Sequence, residues 1–249
     1  MSGQIDVSRD GAALRVVMAR PEKKNALTGA MYDAMIDALK TAEDDDAIGA
    51  LVVEGAGGDF TAGNDLNDFL SYAGDFAESP PLSFVRAIAR FPKPLVLAID
   101  GVAVGVGATM LLHCDLAYAT PRARFRMPFV DLGVVPEAAA TLLLPRRIGM
   151  ARASELLLLC EPFDAARALE WGLLNAVVAA ADLSRVAMEK ARELAGKPRG
   201  AVAATRRLLR GDVEETARRV EAEASLFAAA LRSPEAIGAM RAILAKTKK

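Results

Sequence analysis

The sequence predicts an α/β fold in which a parallel sheet is laid down first and a helical region follows. Two observations carry this. Over the first part of the chain, short runs rich in Val, Leu and Ile alternate with segments of helical spacing, and such alternation implies parallel pairing through βα crossovers. From about Leu183 the texture changes: Ala, Arg, Glu and Leu dominate, and apolar residues recur at helical spacing. The expected division is a core over residues 1–190 and a helical region over 191–249 with a part in oligomerisation.

In chain order, residues 12–18 read as a strand rich in Val and Leu. Thr28 is a fitting N-cap for a helix whose apolar positions are Met31, Met35, Ile36, Leu39 and Ala42. Residues 50–53 form the next buried strand, closed by Gly55, Gly57 and Gly58, and residues 65–73 carry a helical pattern. Gly74, Pro80 and Pro81 mark residues 70–82 as an irregular loop. Strands are expected at residues 94–99, ending at Asp100-Gly101, and at residues 116–119. In the tail, Lys197-Pro198 and Ser233-Pro234 punctuate three or more helices. Such an extension packs either on a neighbouring subunit or back on its own core.

With 249 residues, about half of them apolar, the chain suits one large domain, alone or with a small helical appendage. A net charge of −1 without long charge runs argues against nucleic-acid binding. Cys114 and Cys160 are too few and too far apart for a disulfide framework and suit a reducing compartment. Neither a secretory signal nor a membrane-length apolar run is visible, so a soluble cytoplasmic protein is expected, with no membrane partner. Lys246, Lys248 and Lys249 read as a solvated end.

His113 is the only histidine, so any Ser-His-Asp or Cys-His arrangement would have to use it. Its neighbour Cys114 would point to the opposite face of a strand, and His113 reads as a satisfied core or subunit-contact residue. One histidine without a cysteine cluster makes no metal site. Two segments have another kind of potential. Gly101-Val-Ala-Val-Gly105-Val-Gly107 and Asp59-Phe-Thr-Ala-Gly63-Asn64-Asp65 each follow a strand and precede a helical run, a layout that leaves free N–H groups at a helix start. Each alone is equally a tight turn, with Asp65 a simple cap. Together they could offer two donors to one oxygen, as an oxyanion hole requires.

Here the segments become specific. Arg20-Pro-Glu-Lys-Lys-Asn-Ala-Leu27, Phe60-Thr-Ala-Gly-Asn-Asp65 and Ile99-Asp-Gly-Val-Ala-Val-Gly-Val-Gly107 resemble, in order and spacing, the signature segments of the crotonase (enoyl-CoA hydratase/isomerase) superfamily. The similarity continues through Cys114-Asp-Leu-Ala-Tyr-Ala119, Phe125-Arg-Met-Pro-Phe-Val-Asp-Leu-Gly133 and Ala168-Leu-Glu-Trp-Gly-Leu-Leu-Asn-Ala176, and covers nearly the whole chain, most strongly residues 12–180. It implies a crotonase (ClpP-like) spiral of ββα units assembled as a homotrimer or homohexamer. It also implies an acyl-CoA thioester substrate, with coenzyme A part of the substrate and no further cofactor. Lys24, Ala26, Leu27, Ala62, Gly63, Asp65, Leu66 and Gly105 would contact that substrate, and the N–H groups of Asn64 and Val106 would hold the thioester oxygen.

Hydratases of this family place two glutamates around one water. The matching positions here look like Thr109 and Phe129, also substrate contacts, and neither can transfer a proton as a carboxylate does. Glu137, in Gly133-Val-Val-Pro-Glu137, resembles instead the base of the Δ3,Δ2-enoyl-CoA isomerase subgroup. Apolar neighbours would raise its pKa toward the value a general base needs. Pro136-Glu137 also reads as a plain helix start with an acid in its first turn. The alternatives are a hydratase whose water is held by Thr109 and Glu137, and a non-catalytic acyl-CoA binder. Asp68 and Asp131 are the other carboxylates that could approach a site.

Overall fold

A computed structural model describes residues 4–72 and 74–247. The hairpin β1 (Ile5–Asp10) and β2 (Ala13–Met18) opens the chain, followed by α1 (Gly29–Asp44), β3 (Ala50–Gly55), α2 (Leu66–Ser71), α3 (Pro80–Arg90) and β4 (Leu95–Ile99). The short β5 (Val102–Val104) runs into α4 (Val106–Thr109), and β6 (Leu116–Ala119) and β7 (Arg124–Arg126) follow. Next come α5 (Ala140–Ile148), α6 (Met150–Leu158), β8 (Phe163–Asp164), α7 (Ala165–Glu170) and β9 (Ala176–Val177). The tail holds α8 (Leu183–Ala195), α9 (Arg199–Arg210), α10 (Val213–Leu231) and α11 (Pro234–Thr247).

The main sheet has the order β1-β2-β3-β4-β6-β9; only β1 and β2 are antiparallel. Strands β3 and β4 are apolar and buried along almost their whole length because helices cover both faces. Leu51, Val53, Leu95 and Leu97 join one core with Met31 and Met35 of α1 and Phe84 and Ile88 of α3. Val52, Val96 and Ala98 face the other way, against Ala187, Met188 and Ala191 of α8. A smaller sheet, β5-β7-β8, stands apart and carries the loops toward the site.

The Thr28 hydroxyl caps α1, accepting from the Met31 N–H at 3.4 Å. Position 190 lies inside α8, on the face of the main sheet, so a division after it cuts a helix that belongs to the core. The later helices turn back on the same chain: α10 packs against α3 and α5, and Ala236 and Met240 of α11 enter the main core. Lys248, Lys249 and the side chain of Lys246 lie outside the described residues.

Three local expectations are corrected. Within 70–82, Leu70 and Ser71 close α2, and Phe76–Glu78 form one 3-10 turn. Pro80 and Pro81 open α3, because a proline at the first helical positions lacks only an N–H that would have no partner; Ala73 lies outside the described residues. His113 is not on a strand but ends the 3-10 turn Met110–Leu112. Pro136-Glu137 does not start a helix: α5 begins at Ala140, after Ala138 and Ala139 at φ +61° and +55°.

Candidate active site

The two glycine-bearing turns lie side by side. Thr61 pairs with Ala103, and the Val104 N–H donates to the Thr61 carbonyl at 3.0 Å. The first turn is tied to the chain before α1: the Leu27 N–H donates to the Gly63 carbonyl and the Asp65 N–H to the Leu27 carbonyl, both at 2.8 Å. Gly63 adopts φ +87°, and a Cβ there would sit 2.9 Å from the Val104 carbonyl oxygen, so both conformation and space demand glycine. Gly105, at φ +56° and ψ −117°, turns the chain from β5 into α4. As a result, the N–H groups of Asn64 and Val106 donate to no group among the described residues.

Both residues line one cavity of about 230 Å³. Of the other residues singled out from the sequence, Ala62, Gly63, Leu66, Gly105, Phe129 and Glu137 also line it. Leu27 lines a neighbouring cavity of about 200 Å³ that shares Asn64 and Phe69 with the first. Lys24, Ala26, Asp65 and Thr109 stand outside both cavities. The Lys24 carbonyl accepts from the Ala62 N–H at 2.9 Å. Thr109 is fully buried, its hydroxyl donating to the Val106 carbonyl at 3.3 Å. Asp65 caps α2 and pairs with Arg20 at 2.7 Å. Partial burial alone would raise the Asp65 carboxyl, but the Arg20 guanidinium and two backbone N–H groups outweigh it and hold the carboxyl below its usual range. Asp68 accepts from the Gly29 N–H at 2.7 Å.

Glu137 is partly buried, and its enclosed Oε1 has no hydrogen-bond partner among the described residues. Burial, and secondarily the charge of Glu223, push its carboxyl up to about 7. Asp131, which also lines the cavity, is half exposed and neutralised by Arg126 at 2.6 Å. His113 is buried, and its Nε2 lies 2.8 Å from the Ala138 carbonyl. Burial lowers its pKa to about 4, so at neutral pH the ring is uncharged and Nε2–H donates to that carbonyl. Cys114 is buried and its thiol is pushed up to about 12, a state that suits packing rather than nucleophilic attack. Among the described residues no three His, Cys, Asp or Glu side chains converge as a metal site would require, and no helix is long and apolar enough to cross a membrane.

Sequence reasoning missed four contributors. The Tyr32 hydroxyl, buried in α1, bonds the Asn64 side-chain carbonyl. Burial, then the nearby Glu137, raises the Tyr32 phenol well above its ordinary value. Phe227 and Met240 reach the cavity from α10 and α11, and Glu223 stands behind Glu137. Tyr32, Phe227 and Met240 signal only core-facing positions on helices, and Glu223 only one acid among many in the helical tail, which says nothing about what each faces.

The chain matches the enoyl-CoA hydratase/isomerase family over residues 9–248. It is 39% identical to the 1,2-epoxyphenylacetyl-CoA isomerase of Escherichia coli K12, over 74% of this chain and 73% of that protein. It is 33% identical to enoyl-CoA delta isomerase 2 of Rattus norvegicus, covering 98% of this chain but only 64% of that longer protein. The solved structure of Pseudomonas aeruginosa OdaA superposes with a TM-score of 0.93 at 41% identity, covering 97% of this chain and 99% of that one. Further relatives are named as a hydratase and as dehalogenases. The chain therefore belongs to the enoyl-CoA hydratase/isomerase family, the crotonase superfamily, and has its α/β fold.

Proposed function

We propose that this protein shifts the double bond of a 3-enoyl-CoA to the 2-position, using Glu137 as its single base. One observation carries the reading: the Glu137 carboxyl shares a cavity with two N–H groups that have no partner among the described residues. Glu137 removes a proton from C2 of the acyl group. The electron pair moves into the thioester carbonyl, whose oxygen takes hydrogen bonds from Asn64 N–H and Val106 N–H. Donors aimed at a developing oxyanion in a water-poor site supply a large part of such a barrier reduction, about 10²–10³-fold for one donor. The same carboxyl returns the proton at C4, and the double bond comes to rest in conjugation. No electrons leave the substrate, so the reaction needs no cofactor beyond the coenzyme A already attached.

A base near neutral pH is effective because it is ionised often enough yet still strongly basic. Hydration by the paired-glutamate mechanism has less support, because Thr109 is turned onto a backbone carbonyl and Phe129 is apolar. The relative named as an enoyl-CoA delta isomerase favours the same choice. Self-association as a trimer or hexamer is proposed with it: α9 buries only Arg206 and leaves Leu208 and Leu209 exposed.

The test is to mix the protein with a 3-enoyl-CoA and follow the ultraviolet absorbance of the conjugated 2-enoyl thioester. Glu137→Gln should abolish the rise while leaving CoA-ester binding intact. Retained turnover would remove Glu137 from the role of base.

A further inference from the structure

Glu223 has no part in the reaction as drawn, yet it is 4% exposed and sits beside the base. Its Oε1 accepts from the Thr141 N–H at 2.9 Å and the Thr141 hydroxyl at 2.6 Å, and the Ala139 N–H faces the same carboxylate. Arg219, one turn earlier on α10, donates to the Thr141 hydroxyl oxygen at 2.9 Å. These are the donors at the start of α5, whose N-cap is an alanine and can offer no side-chain acceptor of its own. Glu223 supplies that acceptor from 82 residues away in sequence.

The turn it holds is the one that presents Glu137. Ala138 and Ala139 are both left-handed, a conformation that alanine disfavours and that persists only where surrounding groups impose it. His113 holds the Ala138 carbonyl from one side, and Glu223 holds the Thr141 N–H and faces that of Ala139 from the other. Capping alone would need only an acceptor. Glu223 is a carboxylate whose Oε2 is enclosed without a partner among the described residues, next to a second carboxylate whose Oε1 is in the same condition. Two buried carboxyls so placed push their ionisations apart.

We propose that Glu223 is a positioning residue for Glu137: it fixes the left-handed turn that aims the Glu137 carboxyl, and its negative charge makes Glu137 a stronger base. The inference rests on the isomerase reading above and adds the group that sets its base. The other titratable or charged groups around the pair are Tyr32 on α1, His113 on the 3-10 turn and Arg219 on α10. Burial keeps Tyr32 protonated and His113 neutral, and Arg219 acts on Glu223, so the charge that bears on Glu137 is that of Glu223.

The experiment compares wild type with Glu223→Gln and Glu223→Ala in the 3-enoyl-CoA assay. It records kcat, KM and the pH dependence of kcat/KM, with Glu137→Gln as control. Glu223→Gln keeps the acceptor and removes the charge. It should keep KM and move the acid limb of kcat/KM, where the base ionises, toward lower pH by about half a unit or more. Glu223→Ala removes the acceptor as well and should lower kcat about tenfold or more. A Glu223→Gln profile that superimposes on wild type would overturn the charge role, whether or not the alanine variant folds. A folded Glu223→Ala with unchanged kcat would overturn the positioning role. Turnover surviving in Glu137→Gln would instead sink the base assignment, and this inference with it.

Discussion

Replacing Glu137 by Gln should make the protein more stable, and by an amount that depends on pH. The carboxyl is pushed up to about 7 in the folded chain, against an ordinary value of about 4.5 once unfolded. Between those values the folded state binds the extra proton, so stability on this account is fully present below the lower value and lost as pH rises through the higher one. Integrating the linkage relation gives a cost of about 1 kcal/mol near pH 5 and about 3 kcal/mol near pH 8. Glutamine has the same shape and no charge to desolvate, so the variant escapes that cost. For a chain of this length the advantage near pH 8 corresponds to roughly 6–12 °C in melting temperature. The assay is urea or thermal unfolding of both proteins across pH 5–8 at one fixed protein concentration, which holds any self-association constant. A difference between them that stays flat over this range would show that Glu137 ionises like a surface carboxyl. The case for a buried base would then fail.

The remaining predictions concern the frame around the base. Gly63→Ala places a Cβ against the Val104 carbonyl in a conformation alanine disfavours, and should destabilise by about 1–3 kcal/mol while displacing the Asn64 N–H. Its kcat on a 3-enoyl-CoA should fall about 10²-fold; unchanged turnover would detach this turn from catalysis. His113, lowered to about 4 by burial, contributes stability that is present above its unfolded value and lost as pH falls from about 6.5 toward 4. His113→Gln keeps a donor for the Ala138 carbonyl and should flatten that acid limb by up to about 3 kcal/mol; a limb as steep as wild type would mean another group causes it.

Much of the frame was legible before the structure. Residues 50–53 read as a buried strand because they are uniformly apolar, and β3 is covered on both faces for the same reason. The Thr28 cap and the apolar spacing after it gave the start of α1. Gly63 and Gly105 stood out because their neighbours form strand–turn–helix layouts, and the structure sets those turns side by side. The misreadings came where local chemistry had two meanings. Pro80-Pro81 suits both a loop and a helix start, and Pro136-Glu137 lies just before a helix rather than within its first turn.

By itself, then, the sequence determined the periodic elements and the turn glycines, because side-chain period and backbone freedom are properties of a few adjacent residues. It also held the family resemblance, which lies in the order of contiguous segments. Only tertiary structure decided the environment of Glu137. The cavity it shares with Phe227 and Met240, the left-handed Ala138–Ala139 turn held by His113 and Glu223, and the charge of Glu223 beside it all come from chain distant in sequence. Desolvation and Coulomb interaction depend on distance in space, and no pattern along the chain encodes that distance.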